Sequence, residues 1–264
     1  MKKKYFVLLI VFILSIINIA IIFSIFNRIN LKRSLEDSIL PFSTNNINTI
    51  FKIDKITLFS SCGAKNKDTI SNSFTLEDLY QYTDIAIFIK SISETKDSEN
   101  TLKKVWINNL NYTTKPEIGN VNLYYKNINN FAKNEINTSI PFDESIEYEI
   151  TSDSEANLDN PILYNNLANP IVLSYINSGI KSDYTINDSS TPITYDGSLL
   201  KRCNVPLGDI NCSLSFDIYI TNSLDQEFKC TAFIDIPLEN NESSIYDGSI
   251  IKKLDTNYIF YRYK

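Results

Sequence analysis

The sequence predicts an all-β protein, an antiparallel β-sandwich of one large or two small lobes preceded by a single N-terminal transmembrane helix. Three observations carry this. Residues 213–221 and 227–235 alternate apolar and polar side chains with a period of two. Short apolar runs separated by turn residues recur from residue 50 to the end. An uncharged apolar run, YFVLLIVFILSIINIAIIFSIF, fills positions 5–26.

The apolar run comes first in the chain. At about 1.5 Å per residue it spans roughly 33 Å as a helix, enough for a bilayer core of about 30 Å. It is longer than the h-region of a cleaved signal peptide, about 7–15 residues, and no small-x-small site follows it. An uncleaved signal anchor is therefore expected, with the lipid bilayer as partner of residues 5–26 and residues 1–4 as a basic cytoplasmic stub. Lys2, Lys3 and Lys4 on one side nearly balance Arg28, Lys32 and Arg33 on the other. The large part that follows is expected outside, making this a single-pass cell-membrane protein with its C-terminal domain extracytoplasmic. Asn18 places an amide near the middle of the run, where it could bond a second copy of the helix and favour a homo-oligomer.

Residues 27–48 read as a juxtamembrane helix and linker. Leu31, Leu35 and Ile39 recur at helical spacing, and Pro41 ends the pattern. The domain proper is expected over 49–264. Within it, Leu214, Phe216, Ile218 and Ile220 form one face of a strand, and Phe228, Cys230, Ala232 and Ile234 form one face of the next. The five residues 222–226 between them predict a hairpin. Residues 84–90 (DIAIFIK) read as a central strand, apolar on both faces. Further strands are expected at 50–60, 103–112, 121–126, 145–151, 171–176 and 257–264, about ten in all. Residues 75–81 alone read as helical, with Thr75 as cap before Glu77 and Asp78. The polar, turn-rich stretch 152–161 reads either as a divide between two lobes or as a long loop within one.

Composition narrows the function. The chain has no histidine, which removes Ser–His and Cys–His nucleophile pairs and imidazole metal ligands. Six of the 25 basic residues precede Ser34 and none of the 31 acids do, leaving 19 basic against 31 acidic residues beyond it. Such a domain is repelled by nucleic acid. The abundance of Asn, Ile, Lys and Tyr reflects an AT-rich bacterial coding bias. No cofactor is expected.

Weak candidate sites remain. Residues 193–202 (ITYDGSLLKR) and 244–253 (SIYDGSIIKK) echo each other. Asp-Gly supplies the two positive-φ positions of a type I′ hairpin turn, which explains the echo structurally. The functional alternative is a paired ligand site through Asp196 and Asp247. Tyr124 and Tyr125, like the other paired tyrosines, offer flat amphipathic faces to a glycan or protein, though tyrosine also favours strands for packing reasons. Asp153, Glu155 and Asp159 are the best acidic cluster for a metal, but lack the regular calcium-loop spacing. Cys203 and Cys212 flank a short Pro- and Gly-containing loop and are the best candidates for a disulfide, though four cysteines allow three pairings. The function expected is a non-catalytic role in adhesion, scaffolding or envelope-complex assembly, with an envelope protein or glycan as partner. A glycan-binding module is the first alternative and a carboxylate-based hydrolase the second.

Overall fold

The strand marked by DIAIFIK runs through the middle of a sheet, hydrogen-bonded on both sides. The computed structural model describes residues 49–70, 73–92, 102–126, 130–134, 138–140, 146–149, 171–187, 192–255 and 258–262. The anchor run, the linker 27–48 and the stretch 152–161 lie outside the described residues. Among the described residues no helix is long and apolar enough to cross a membrane.

The described residues form twelve strands: β1 (Phe51–Ile70), β2 (Ser73–Ser91), β3 (Leu102–Thr114), β4 (Asn120–Tyr125), β5 (Thr138–Ile140), β6 (Ile146–Glu149), β7 (Ile171–Lys181), β8 (Tyr184–Ile186), β9 (Ser213–Asn222), β10 (Glu227–Asp235), β11 (Ile250–Asp255) and β12 (Tyr261–Arg262). Helical structure among them includes α1 (Ser198–Arg202) and the 3-10 turns Leu207–Ile210 and Ile245–Asp247. One sheet runs β11-β1-β2-β7-β4-β5 with β8 beside β2, and the other β12-β10-β9-β3-β6. All the pairings are antiparallel. Strands from before and after 152–161 pair in both sheets, β2 with β7 and β3 with β9.

The predicted hairpin is present, with Thr221 opposite Glu227. Asn222 shapes its turn. Its side-chain oxygen accepts from the amides of Leu224 (3.1 Å) and Gln226 (2.9 Å), and its amide donates to Gln226 Oε1 (2.8 Å).

The two sheets meet through their alternating inner faces. Ile56, Leu58, Ile85, Ile87, Leu173 and Tyr175 of the first pack with Val105, Ile107, Phe216, Ile218, Phe228 and Cys230 of the second. β1 and β2 extend beyond this contact. Their outer lengths are covered instead by α1 and the loops around it, in a second cluster of Cys62, Phe74, Leu76, Leu79, Leu199, Leu200, Cys203, Val205 and Ile245.

Residues 75–81 are strand, not helix. Asp78 faces Lys65 and Leu76 faces Asn66, so Glu77 is an extra residue bulged out of β2. The bulge turns both Leu76 and Leu79 toward the second cluster. Their three-residue spacing, which imitates a helix, is produced by the bulge. Asp54 is bulged from β1 in the same way and brings Ile53 and Ile56 to one face.

Candidate functional site

Residues opposite one another in a sheet share a face. On the outer face of the first sheet the row across the strands is Phe59, Asp84, Ser174, Tyr124. An acid here would be costly to bury alone. It is not alone. Lys126 follows β4 and donates from Nζ to Asp84 Oδ1 (2.9 Å) and Oδ2 (2.8 Å) and to the Lys133 carbonyl (2.6 Å). Ser174 Oγ donates to Oδ1 and the Ala132 amide to Oδ2, each at 2.8 Å. The side chains of Lys126 and Asp84 are 1% and 0% exposed. Burial pushes the Asp84 carboxyl above its ordinary range, while Lys126, Ser174 and Ala132 pull the other way. Phe131 packs over Ala86, Phe88 and Val172 beside the pair. Residues 131–133 thus pack over this part of the sheet and help to seal the ion pair from water.

The outer face of the second sheet is different. Its central row is Trp106, Tyr219, Lys229, Tyr261. The Trp106 and Tyr219 rings stack at 5.2 Å between centroids, 7° from parallel. Lys104 lies over the Trp106 ring at 5.6 Å and Lys229 over the Tyr219 ring at 5.4 Å. In the next row Asp217 accepts from Lys229 (2.8 Å), Thr231 Oγ1 (2.6 Å) and Asn109 Nδ2 (2.7 Å). Burial alone would raise the Asp217 carboxyl, but these three donors outweigh it and hold the carboxyl below its ordinary range. Phe233 and Tyr261 are exposed on the same face.

Asp196 and Asp247 are brought together, though not as a pair of hairpin turns. Each of their motifs opens or closes a short helical turn. Asp196 Oδ1 accepts from the Ser198 amide (2.9 Å) and Ser198 Oγ (2.5 Å) ahead of α1. Asp247 Oδ2 accepts from the Ser244 amide (3.1 Å) in a capping box. The two glycines touch: Gly197 N donates to the Gly248 carbonyl at 2.5 Å. The echo therefore reflects two similar turns packed on one another, and these carboxylate oxygens are used in capping.

Tyr124 and Tyr125 are both half-buried and face opposite ways. Tyr125 packs against the core between the sheets, and Tyr124 shares the outer row of Asp84 and Ser174. Tyr82 is buried, and burial pushes its hydroxyl up to about 12. The cluster Asp153, Glu155 and Asp159 lies outside the described residues. Among the described residues no three acidic or thiol side chains converge as metal ligands.

The Cys203–Cys212 bridge is not formed. All four cysteines are free and buried. Cys203 ends α1 and packs in the second cluster, whereas Cys212 leads into β9 and packs between the sheets. Burial pushes the Cys62 thiol well above its ordinary value, Cys203 to about 11, Cys230 to about 12, and Cys212 upward. These thiols stay protonated at neutral pH and are poor nucleophiles.

Neither outer-face cluster was anticipated. Asp84 at the head of a doubly buried strand was the available signal, since such an acid must be paired. Trp106 and Tyr219 lie far apart in sequence and meet only through the β3–β9 register. No family model, no curated protein and no solved structure matches this chain.

Proposed function

We propose that this chain is a membrane-anchored extracytoplasmic β-sandwich protein with a non-catalytic role in adhesion, scaffolding or assembly of an envelope complex. The observation that carries this reading is the row Trp106, Tyr219, Lys229 and Tyr261 on an outer sheet face. Trp and Tyr presented in this way are the side chains that dominate protein recognition. The two buried acids and the buried thiols fit the same reading. Asp84 and Asp217 are each saturated with donors and lie on the outer faces of different sheets, so they do not share a cleft. The uncharged run at 5–26 and the acidic excess beyond it supply the anchor and the soluble character.

Protease shaving of intact cells tests the placement. Cleavage within 49–264 is expected, with residues 1–4 protected, and full protection of the domain overturns the reading. Capture of cross-linked partners by the full chain should weaken on Trp106→Ala or Tyr219→Ala.

A glycan-binding module is the second reading. It is favoured by the two rings standing beside Asp217 and Asn109, an aromatic platform next to hydrogen-bonding groups. Titrating the full chain in detergent with wall polysaccharides should then give saturable binding that Trp106→Ala abolishes. Absence of binding to every wall polysaccharide removes it.

A further inference from the structure

We propose that Lys126 and Asp84 condense into an intramolecular amide, Lys126 Nζ bonded to Asp84 Cγ, with release of one water. The reacting groups are already in contact, at 2.8–2.9 Å, and their side chains are 1% and 0% exposed. Two features of the setting favour the step. A buried ammonium–carboxylate pair is held at a desolvation cost, and a neutral amide removes both charges at once. Well-aligned groups held in contact reach effective concentrations of about 10⁵–10⁸ M, and holding the two together in this way lowers the barrier to condensation.

The step balances without any outside reagent. One ammonium proton passes from Nζ to the carboxylate, giving a neutral amine and a carboxylic acid. Burial, which pushes the Asp84 carboxyl upward, assists this transfer. The Nζ lone pair then attacks Cγ. Negative charge grows on Oδ2, which the Ala132 amide already contacts at 2.8 Å in the manner of an oxyanion hole. Oδ1 takes a second proton from nitrogen and leaves as water, with Ser174 Oγ donating to it at 2.8 Å. No atom is oxidised or reduced. The product is satisfied in place: its one N–H retains the Lys133 carbonyl, 2.6 Å from Nζ, and its oxygen retains the Ala132 amide. The bond would tie β2 covalently to the chain leaving β4, locking the sealing segment onto the sheet. It stands independently of the anchor and of the recognition face.

Peptide mapping of the folded full chain, extracted in detergent, denatured and cut with trypsin, reads the bond directly. Lys126 should resist cleavage. Residues 68–90 and 105–133 should appear as one branched product, lighter by one water than the two peptides together. The Lys126→Arg variant should give unlinked peptides. Recovery from the folded wild-type chain of a peptide ending at Lys126, together with unmodified 68–90, overturns the proposal. A loss of water confined to 68–90 also overturns it, since that would be an aspartyl imide at Asp84.

Discussion

Asp217 is held by three donors on a half-open face, and its depressed carboxyl makes a pH-dependent contribution. A carboxyl whose folded-state pKa lies below its unfolded value stabilises the fold above the ordinary carboxylate range, near 3.9, and that stability is lost as pH falls through the folded value. Urea titrations from about pH 5 down to about pH 2 should therefore show a steeper loss in the wild type than in Asp217→Asn. At neutral pH, Asp217→Ala should cost about 1–3 kcal/mol, as it leaves Lys229, Thr231 and Asn109 without their shared acceptor. Gln81 is the converse case. Its amide is fully buried opposite Asn177, and among the described residues neither polar atom has a hydrogen-bond partner. Replacing a buried, unpaired amide by an apolar group of similar shape removes a desolvation penalty. Gln81→Met should raise stability by about 1–2 kcal/mol in chemical denaturation; a loss of that size would show that the amide is paired after all.

The elements explain what the sequence revealed and what it hid. The β9–β10 hairpin was legible because every second residue from Leu214 to Ile220 and from Phe228 to Ile234 is buried, and the turn residues fall between. Residues 75–81 misled because one bulged residue, Glu77, converts a period of two into a spacing of three. The stretch 63–67 of β1 (GAKNK) carries no apolar alternation, and its place is set by the β2 ladder. The Asp-Gly echo was visible as sequence, but its meaning depended on contact. A Cβ on Gly197 would lie 2.0 Å from the Ile245 carbonyl oxygen, a backbone atom that cannot step aside cheaply. Gly197→Ala should cost roughly 3 kcal/mol and loosen α1, measurable as faster amide exchange at Leu199 and Leu200. Asn222→Ala should cost about 1–2 kcal/mol through loss of the turn bonds, with β9 and β10 otherwise retained.

For the molecule as a whole, two clusters of buried side chains share the same pair of long strands. β1 and β2 stay paired from Phe51–Ser91 to Ile70–Ser73, passing from the contact between sheets to the region under α1. The inner rows at the transition are polar: Ser60 beside Thr83 with their hydroxyls 2.5 Å apart, then Cys62, Gln81 and Asn177. Neither cluster can lose its strands without disturbing the other, so equilibrium unfolding by fluorescence and by circular dichroism should give coincident transitions. Separate midpoints would mean that the two clusters melt independently. Distant pairings such as β2–β7 and β3–β9 close long loops before they return any stability, and refolding should be slow for a chain of this size.

Residues 258–260, just ahead of β12, run against the start of β1. Phe260 donates its amide to the Phe51 carbonyl, Ile53 donates to Tyr258, and Lys52 bridges Ile259. The ribbon therefore closes on itself like a clasp. A short peptide splice between residues 262 and 49, with a new break opened at the exposed β9–β10 turn, would yield a circularly permuted polypeptide, and its spectrum and melting temperature should stay close to those of the parent.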